Sequence, residues 1–299
     1  PGIVQQGLKW MLNSKSPFYV EPRLSWPLIS WGLQFMRHAT EKHVAAAAIP
    51  LRDIALFSKH CYEQWMQIPG FEMAYEQKGL LEYFQTEANE EHAHHTAAAA
   101  AQLGLEAKVL SATEVQAMEP HTPLQLRGGL FFGCDAHLYP EKLMKTLLRL
   151  LPAKGVVLKT DTTVTGFAKT GKRVTKVLTQ QTAFDCDVVV IATGSWSREL
   201  TQKAGISIPL VAGRGYSVTL TNSPFKLNHP AVLQEGRVAI TPMDGNKIRF
   251  GGTMEITSIQ APPRYKRVQG ILEAVQRYLP EFKIAMPPKE QIWYGYRPC

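Results

Sequence analysis

Residues 188–197, VVVIATGSWS, join four β-branched residues to a small, polar turn. Val188 to Ile191 predict a strand buried on both faces, as in a parallel α/β sheet. Loops at the carboxyl ends of such strands are where open α/β sheets hold ligands. Gly194 admits close approach of a ligand to the backbone, and Ser195 or Ser197 could cap the helix that Arg198, Glu199 and Leu200 begin. An ordinary turn after a buried strand accounts for the same residues. His92, His94 and His95 are the other eye-catching group. His92 and His95 could share a helix face, but no carboxylate-plus-histidine signature of catalytic spacing accompanies them, so they read as a solvated face and no metal site is expected. Gly213 and Gly215 in GRGYSV lack a third glycine and precede a strand, which argues against a phosphate loop.

The elements that must hold these residues divide the chain into three. Residues 1–135 read as helices and then strands: QQGLKWMLN, a helix from Pro27 through Ala48, a second entered at Pro50, strands on either side of Gly79, and a helix from about Asn89 to Leu103 stopped by Gly104. Ser111 and Glu114 have the spacing of a capping box. Residues 136–205 read as a βα unit, with Pro140 opening a helix, VVLKT as a strand, a meander turning at Gly171-Lys172, and the buried strand at 188–191. Residues 206–299 are strand-rich: Asp244-Gly245-Asn246 forms a hairpin turn, a helix covers PPRYKRVQGILEAVQRYLPEF, and EQIWYGYRP closes as a strand. The fold class expected is α/β plus α+β, a partial Rossmann-like domain interleaved with an antiparallel-sheet domain.

The chain has 299 residues, 45% hydrophobic and 19% charged, with a formal net charge of +8, which favours anionic ligands. Lys and Arg are scattered without a basic run, so nucleic acid is not an expected partner. Four separated cysteines, no signal-peptide pattern and no span-length apolar window point to a reduced, cytoplasmic protein. Basic, Trp-bearing helices near the start could pack on the core or rest on a membrane surface. Both ends read as cut: the chain opens at Pro1 without Met and stops at YGYRPC.

Six stretches, in order and spacing, resemble the D-amino-acid dehydrogenase branch of the FAD-dependent D-amino-acid oxidase and glycine oxidase superfamily. They are PGIVQQGLKWMLNSKSPFYVEPRL, GLLEYFQT, VVVIATGSWS, PLVAGRGYSVTL, VAITPMDGNKIRFGGTMEI and WYGYRP. The family's amino-terminal G-x-G-x-x-G, which brings a helix N-terminus to the FAD pyrophosphate, has no counterpart here.

The resemblance implies FAD as cofactor, with Ala192, Thr193 and Gly194 beside it and the Val164 backbone at the adenine. It implies substrate contacts from Arg297, Tyr216 and Met254, with the Arg297 fork gripping a carboxylate. Tyr216 reads equally as a core residue. Tyr296 stands where relatives have leucine, and His137 reads as structural. The chemistry implied is oxidative deamination of D-amino acids, possible D-proline or hydroxyproline types included, to 2-oxo acids and ammonia. No protein base is required when the amine is neutral and a hydride leaves to flavin. A membrane quinone or electron-transfer partner, with peripheral attachment to the inner membrane, would suit a dehydrogenase. The alternatives are a glycine or sarcosine oxidase using oxygen and a flavin-free, non-catalytic piece.

Overall fold

A computed structural model describes residues 16–299; the helix expected over QQGLKWMLN lies outside the described residues. The described chain begins with a short strand, β1 (Phe18–Val20), and two successive helices, α1 (Trp26–His38) and α2 (Glu41–Met66). The sequence expects the break between these helices at Pro50, and the structure puts it at Ala39-Thr40. Thr40 explains the difference: its Oγ1 accepts the His43 N–H at 3.3 Å and starts a new helix, whereas Pro50 removes only one donor from the interior of α2. Neither helix buries a residue, and Trp26, Leu33, Phe35, Val44 and Phe57 are exposed.

The next elements are β2 (Leu80–Phe84), α3 (Glu87–Gln102), β3 (Ala107–Ser111), α4 (Ala112–Met118) and β4 (Gly128–Phe132). Only one of the two strands expected around Gly79 forms, because residues 71–79 make just an isolated bridge, Glu76 to His137. The Ser111–Glu114 capping box is present, with Ser111 N–H donating to Glu114 Oε2 at 2.8 Å and Glu114 N–H donating back to Ser111 Oγ at 3.3 Å. Then come α5 (Pro140–Ala153), β5 (Val164–Thr170), β6 (Arg173–Thr179), β7 (Ala183–Asp185) and α6 (Ser197–Lys203). The last are β8 (Ala212–Leu220), β9 (Ala231–Leu233), β10 (Val238–Met243), β11 (Lys247–Ile256), α7 (Lys266–Tyr278) and β12 (Ile292–Pro298).

Two sheets result. The large one runs β12-β8-β11-β10-β9-β2-β4-β3, with β1 joining β11 in parallel, and the small one is the antiparallel meander β5-β6-β7. The chain is therefore mixed α/β, with the 140–205 stretch carrying the small sheet between two contributions to the large one. The Asp244–Asn246 turn forms as expected, joining Met243 to Lys247 across the hairpin.

Neither VVLKT (156–160) nor Val188–Ile191 forms a strand. Val157, Val188 and Val190 are 75%, 81% and 83% exposed, where the sequence expects burial. A strand exists only through a neighbour's N–H and C=O groups, and among the described residues no strand pairs with either segment. Ser195 and Ser197 also differ from expectation, since neither caps α6; Ser195 is buried in a 3₁₀ turn (Gly194–Trp196) and Ser197 is the first residue of the helix.

The main core lies on one face of the large sheet, and a smaller cluster of Phe84, Ala93 and Leu130 lies under α3. Val268, Ile271, Leu272 and Val275 of α7 pack on Val218, Val238, Ile240, Ile248 and Phe250. These strand residues alternate along their strands, so the other face of β8, β11 and β12 stays free for a site.

Candidate functional site

Residues directly opposite one another in a sheet share a face. Arg297 pairs with Gly213, Gly295 with Gly215, and Trp293 and Gly251 with Ser217, so these residues lie together on the face turned away from α7. Four glycines, Gly213, Gly215, Gly251 and Gly295, floor it. A Cβ at Gly215 would stand 3.1 Å from Arg297 Nη2, and one at Gly213 would meet Met254 Sδ at 2.4 Å, so the absent side chains make room for both residues. Arg297 thus lies flat over β8 and donates from Nη1 to the Thr253 carbonyl at 3.5 Å. Among the described residues it has no carboxylate partner.

Thr253 marks the centre of the site. Register shifts between Gly252 and Glu255, Thr253 adopts φ +65°, and β10 stops pairing with β11 at Gly252 while β1 takes over at Met254. The result is a cleft of about 940 Å³ lined by Arg297, Met254, Thr253, Gln234, Arg237 and Phe18, among others. Thr253 Oγ1 and Gln234 Oε1 are buried with no hydrogen-bond partner among the described residues. Gln234 donates through Nε2 to Glu82 Oε2, and burial pushes the Glu82 carboxyl up from its ordinary value.

Of the residues the sequence nominates for substrate, the structure brings Arg297 and Met254 to one cleft and separates Tyr216 from them. Tyr216 pairs with Gly252 and Tyr294 on the opposite face, is 1% exposed, donates to Glu255 Oε2 at 2.9 Å and accepts the Arg264 N–H at 2.7 Å. The alternation of β8 decides this, because residue 216 cannot share a face with 215. Tyr216 belongs instead to a buried ionic cluster in which Arg214 and Arg264 each reach Glu255 at 3.0 Å.

Ala192 and Thr193 are exposed at the end of the extended segment, and Gly194 opens the 3₁₀ turn that leads to α6. Apart from its chain neighbours, no atom of the described residues lies within 4 Å of a Cβ built on Gly194, and its φ is +54°. Glycine is needed there for backbone conformation, and the space above it is open. Trp196, two residues on, packs edge-on to Tyr296 with ring centroids 5.9 Å apart, which anchors this segment beside β12. Val164 begins β5, opposite Thr179. Gln234, Thr253, Arg237 and Glu82 carry no local signal that marks them as site residues. The only hint was the paired glycines before Thr253, which mark an irregular strand.

The fold and cleft together define a mixed α/β protein with an arginine-lined cleft on one face of its large sheet. The chain belongs to the DAO family, described as FAD dependent oxidoreductase, whose model matches residues 25–299. It is 28% identical to a D-amino acid dehydrogenase of Granulibacter bethesdensis, over 100% of this chain and 72% of that protein, and 28% identical to one of Neisseria meningitidis with the same coverage. Among solved structures it is similar to glycine oxidase from Bacillus cereus, with a TM-score of 0.74 and 25% identity over 83% of this chain and 70% of that one. Glycine oxidase from Geobacillus kaustophilus shares the fold with a TM-score of 0.69 at 21% identity, covering 96% of this chain and 70% of that one.

FAD is the cofactor of this family, and the residues present fit it. The 187–193 segment exposes backbone and apolar side chains, the space above Gly194 is open among the described residues, and Ser195 Oγ beside it is buried with no hydrogen-bond partner among them. Among the described residues no helix is long and apolar enough to cross a membrane.

Proposed function

We propose that this FAD-dependent oxidoreductase deaminates D-amino acids to 2-oxo acids and ammonia. The observation that carries the reading is Arg297: an arginine without a carboxylate partner, stretched over glycines at the mouth of a cleft. Its planar fork suits a carboxylate held by two parallel hydrogen bonds. Met254 gives the same cleft an apolar, adaptable wall for the substrate's carbon skeleton. When bound, FAD supplies the hydride acceptor. The protein's own work is then to hold the amino acid by its carboxylate and to fix the direction in which its Cα–H points. Water hydrolyses the imine product.

On this reading the 136–205 stretch belongs to the cofactor domain, with residues 1–135 and 206–299 belonging to the substrate domain. Ala192, Thr193 and Gly194 lie along the cofactor, and the Val164 backbone meets the adenine. The open space at Gly194 supports the first assignment.

The test is flavin bleaching. The full-length holoenzyme is given D-alanine or D-proline without oxygen, and loss of the visible flavin band is expected. A flavin that stays oxidised with every D-amino acid overturns the proposal. Hydrogen peroxide formed at the rate of substrate loss would instead favour an oxidase of glycine or sarcosine. The exposed apolar residues of α1 and α2, beside Arg37, Lys42 and His43, support a membrane-borne electron acceptor such as a quinone. Co-sedimentation with acidic liposomes is expected, and an unchanged supernatant fraction sinks that part.

A further inference from the structure

The cleft holds a second arginine. Arg237 precedes β10 and falls opposite Thr253 when the Val238–Gly252 register is extended by one residue, so the two arginines flank Thr253 from opposite sides. In the strand order β12-β8-β11-β10 their backbones are three strand spacings apart, roughly 14 Å. Arg297 already leans over β8 towards β11, which leaves a gap of about two strand spacings, ~10 Å, for the Arg237 side chain and a ligand to fill. Arg237 makes no ion pair among the described residues.

The acidic groups nearby are already committed. Glu235 Oε1 accepts from the Gln85 and Thr86 backbone, Thr86 Oγ1 and Asn89 Nδ2, and Tyr278 donates to its other oxygen. Glu82 is bonded to Gln234 and is pushed by burial towards its neutral form, against the pull of the Arg237 charge. The two arginines are therefore not neutralised at contact distance. Between them the wall offers two polar atoms without partners among the described residues, Gln234 Oε1 and Thr253 Oγ1. Arg237 and Thr253 both adopt positive φ, +50° and +65°. Such backbone is costly for side chains of this size and gathers at ligand sites.

We infer that the cleft selects amino acids with a second carboxylate, the α-carboxylate on Arg297 and the distal one on Arg237. This rests on the amino-acid reading above and names the substrate class within it: α-amino dicarboxylates. The same two-ended anion is presented by an acidic side chain, as in D-glutamate or D-aspartate, and by an N-carboxymethyl amine such as iminodiacetate.

The experiment uses the full-length holoenzyme and compares kcat/KM for D-glutamate with that for D-glutamine, which has the same shape and no distal charge. A preference for D-glutamate of about tenfold is expected from one charge-assisted contact at a solvent-open position. In R237Q the preference falls to near one, and R237K keeps part of it. D-aspartate and iminodiacetate serve as parallel arms to tell which dicarboxylate geometry fits. Binding is read separately, by calorimetry with glutarate and butyrate, so that the site is tested even if no amino acid is oxidised. Equal affinity for glutarate and butyrate, or a D-glutamate preference that survives in R237Q, overturns the inference. Turnover of D-alanine with no dicarboxylate preference overturns it while leaving amino-acid oxidation standing. Tighter binding of glutarate without any flavin reduction supports the dianion site and removes the oxidation reading.

Discussion

Gly215→Ala should weaken substrate binding without unfolding the protein. The added Cβ would stand 3.1 Å from Arg297 Nη2 and 3.2 Å from Cζ and Nη1. Comfortable contact lies near 3.5–4 Å, so the guanidinium must retreat by roughly 0.5 Å. Arg297 can give way, because it is exposed and its hydrogen bond to the Thr253 carbonyl is already 3.5 Å long. The backbone at 215 has no positive φ, so alanine suits the strand and removes the entropy penalty of glycine there. The change in unfolding free energy should stay within about 1 kcal/mol, with the sign favouring alanine if Arg297 moves freely. At the cleft the same shift spoils the geometry of a bond worth about 1.5–3 kcal/mol when fully made. Losing about 1 kcal/mol of it lowers kcat/KM roughly fivefold. R297A, which removes the bond altogether, should cost about 10- to 100-fold. The assay is steady-state oxidation by the full-length holoenzyme with an artificial electron acceptor, alongside thermal unfolding of each variant. If G215A oxidises D-amino acids as well as wild type while R297A is severely impaired, the guanidinium does not rest on the glycine floor when substrate is bound, and the geometric account fails.

Other substitutions test the frame around the cleft. E255A strands Arg214, which is fully buried and paired to Glu255 at 3.0 Å, and should cost about 3–5 kcal/mol in denaturant unfolding. Ile240→Ala, in the core under α7, should cost about 2–5 kcal/mol by the same measurement. The Glu114 carboxyl is held down to about 2 by the Ser111 backbone and hydroxyl and by Lys108, against an ordinary 4.5, so NMR titration should find it ionised well below the other surface carboxylates. Because its folded value is depressed, its contribution to stability is complete above pH 4.5 and is lost as pH falls through about 2. E114Q should flatten that dependence, and S111A should cost about 1 kcal/mol at neutral pH.

What the sequence disclosed follows the range of the interactions involved. Local signals read correctly: the Ser111 box, Pro140 at the head of α5, Gly104 and Gly155 at helix ends with φ +71° and +83°, and the turn at Gly245. Each depends on bonds within a few residues. The strand at 188–191 read wrongly because β-branched composition describes a preference, and a strand needs a neighbour that composition does not supply. Tyr216 was undecidable for a related reason. Alternation fixes which residues of β8 share a face, but which face meets α7 is settled by a helix some fifty residues later in the chain. Arg237 and Gln234 are separated from Arg297 by the length of four elements. Only the register of β10, β11 and β12 puts them in one cleft.

The two faces of the large sheet are linked through the bulge in β11. Thr253 and Met254 occupy the irregular step between Gly252 and Glu255, and Glu255 is the residue on which the buried cluster converges. Arg214 holds its far side further, donating to the Ala261 and Pro262 carbonyls at 2.6 and 2.9 Å. A β-branched residue at φ +65° is unfavourable alone and persists only where its surroundings over-determine it. Here the surroundings are the ionic cluster behind the sheet and the β1 ladder, in which Met254 N–H donates to the Pro17 carbonyl at 2.7 Å. Loosening Glu255 should therefore let Thr253 relax, shift its carbonyl away from Arg297 and alter substrate binding from a position that never touches substrate. E255Q, which keeps the shape and part of the bonding, separates this effect from global unfolding: at a temperature where E255Q is still fully folded, its KM should rise while a core variant on the α7 side of the sheet such as I240A leaves KM unchanged. Equal KM values in all three proteins would mean that the bulge holds its geometry without the cluster.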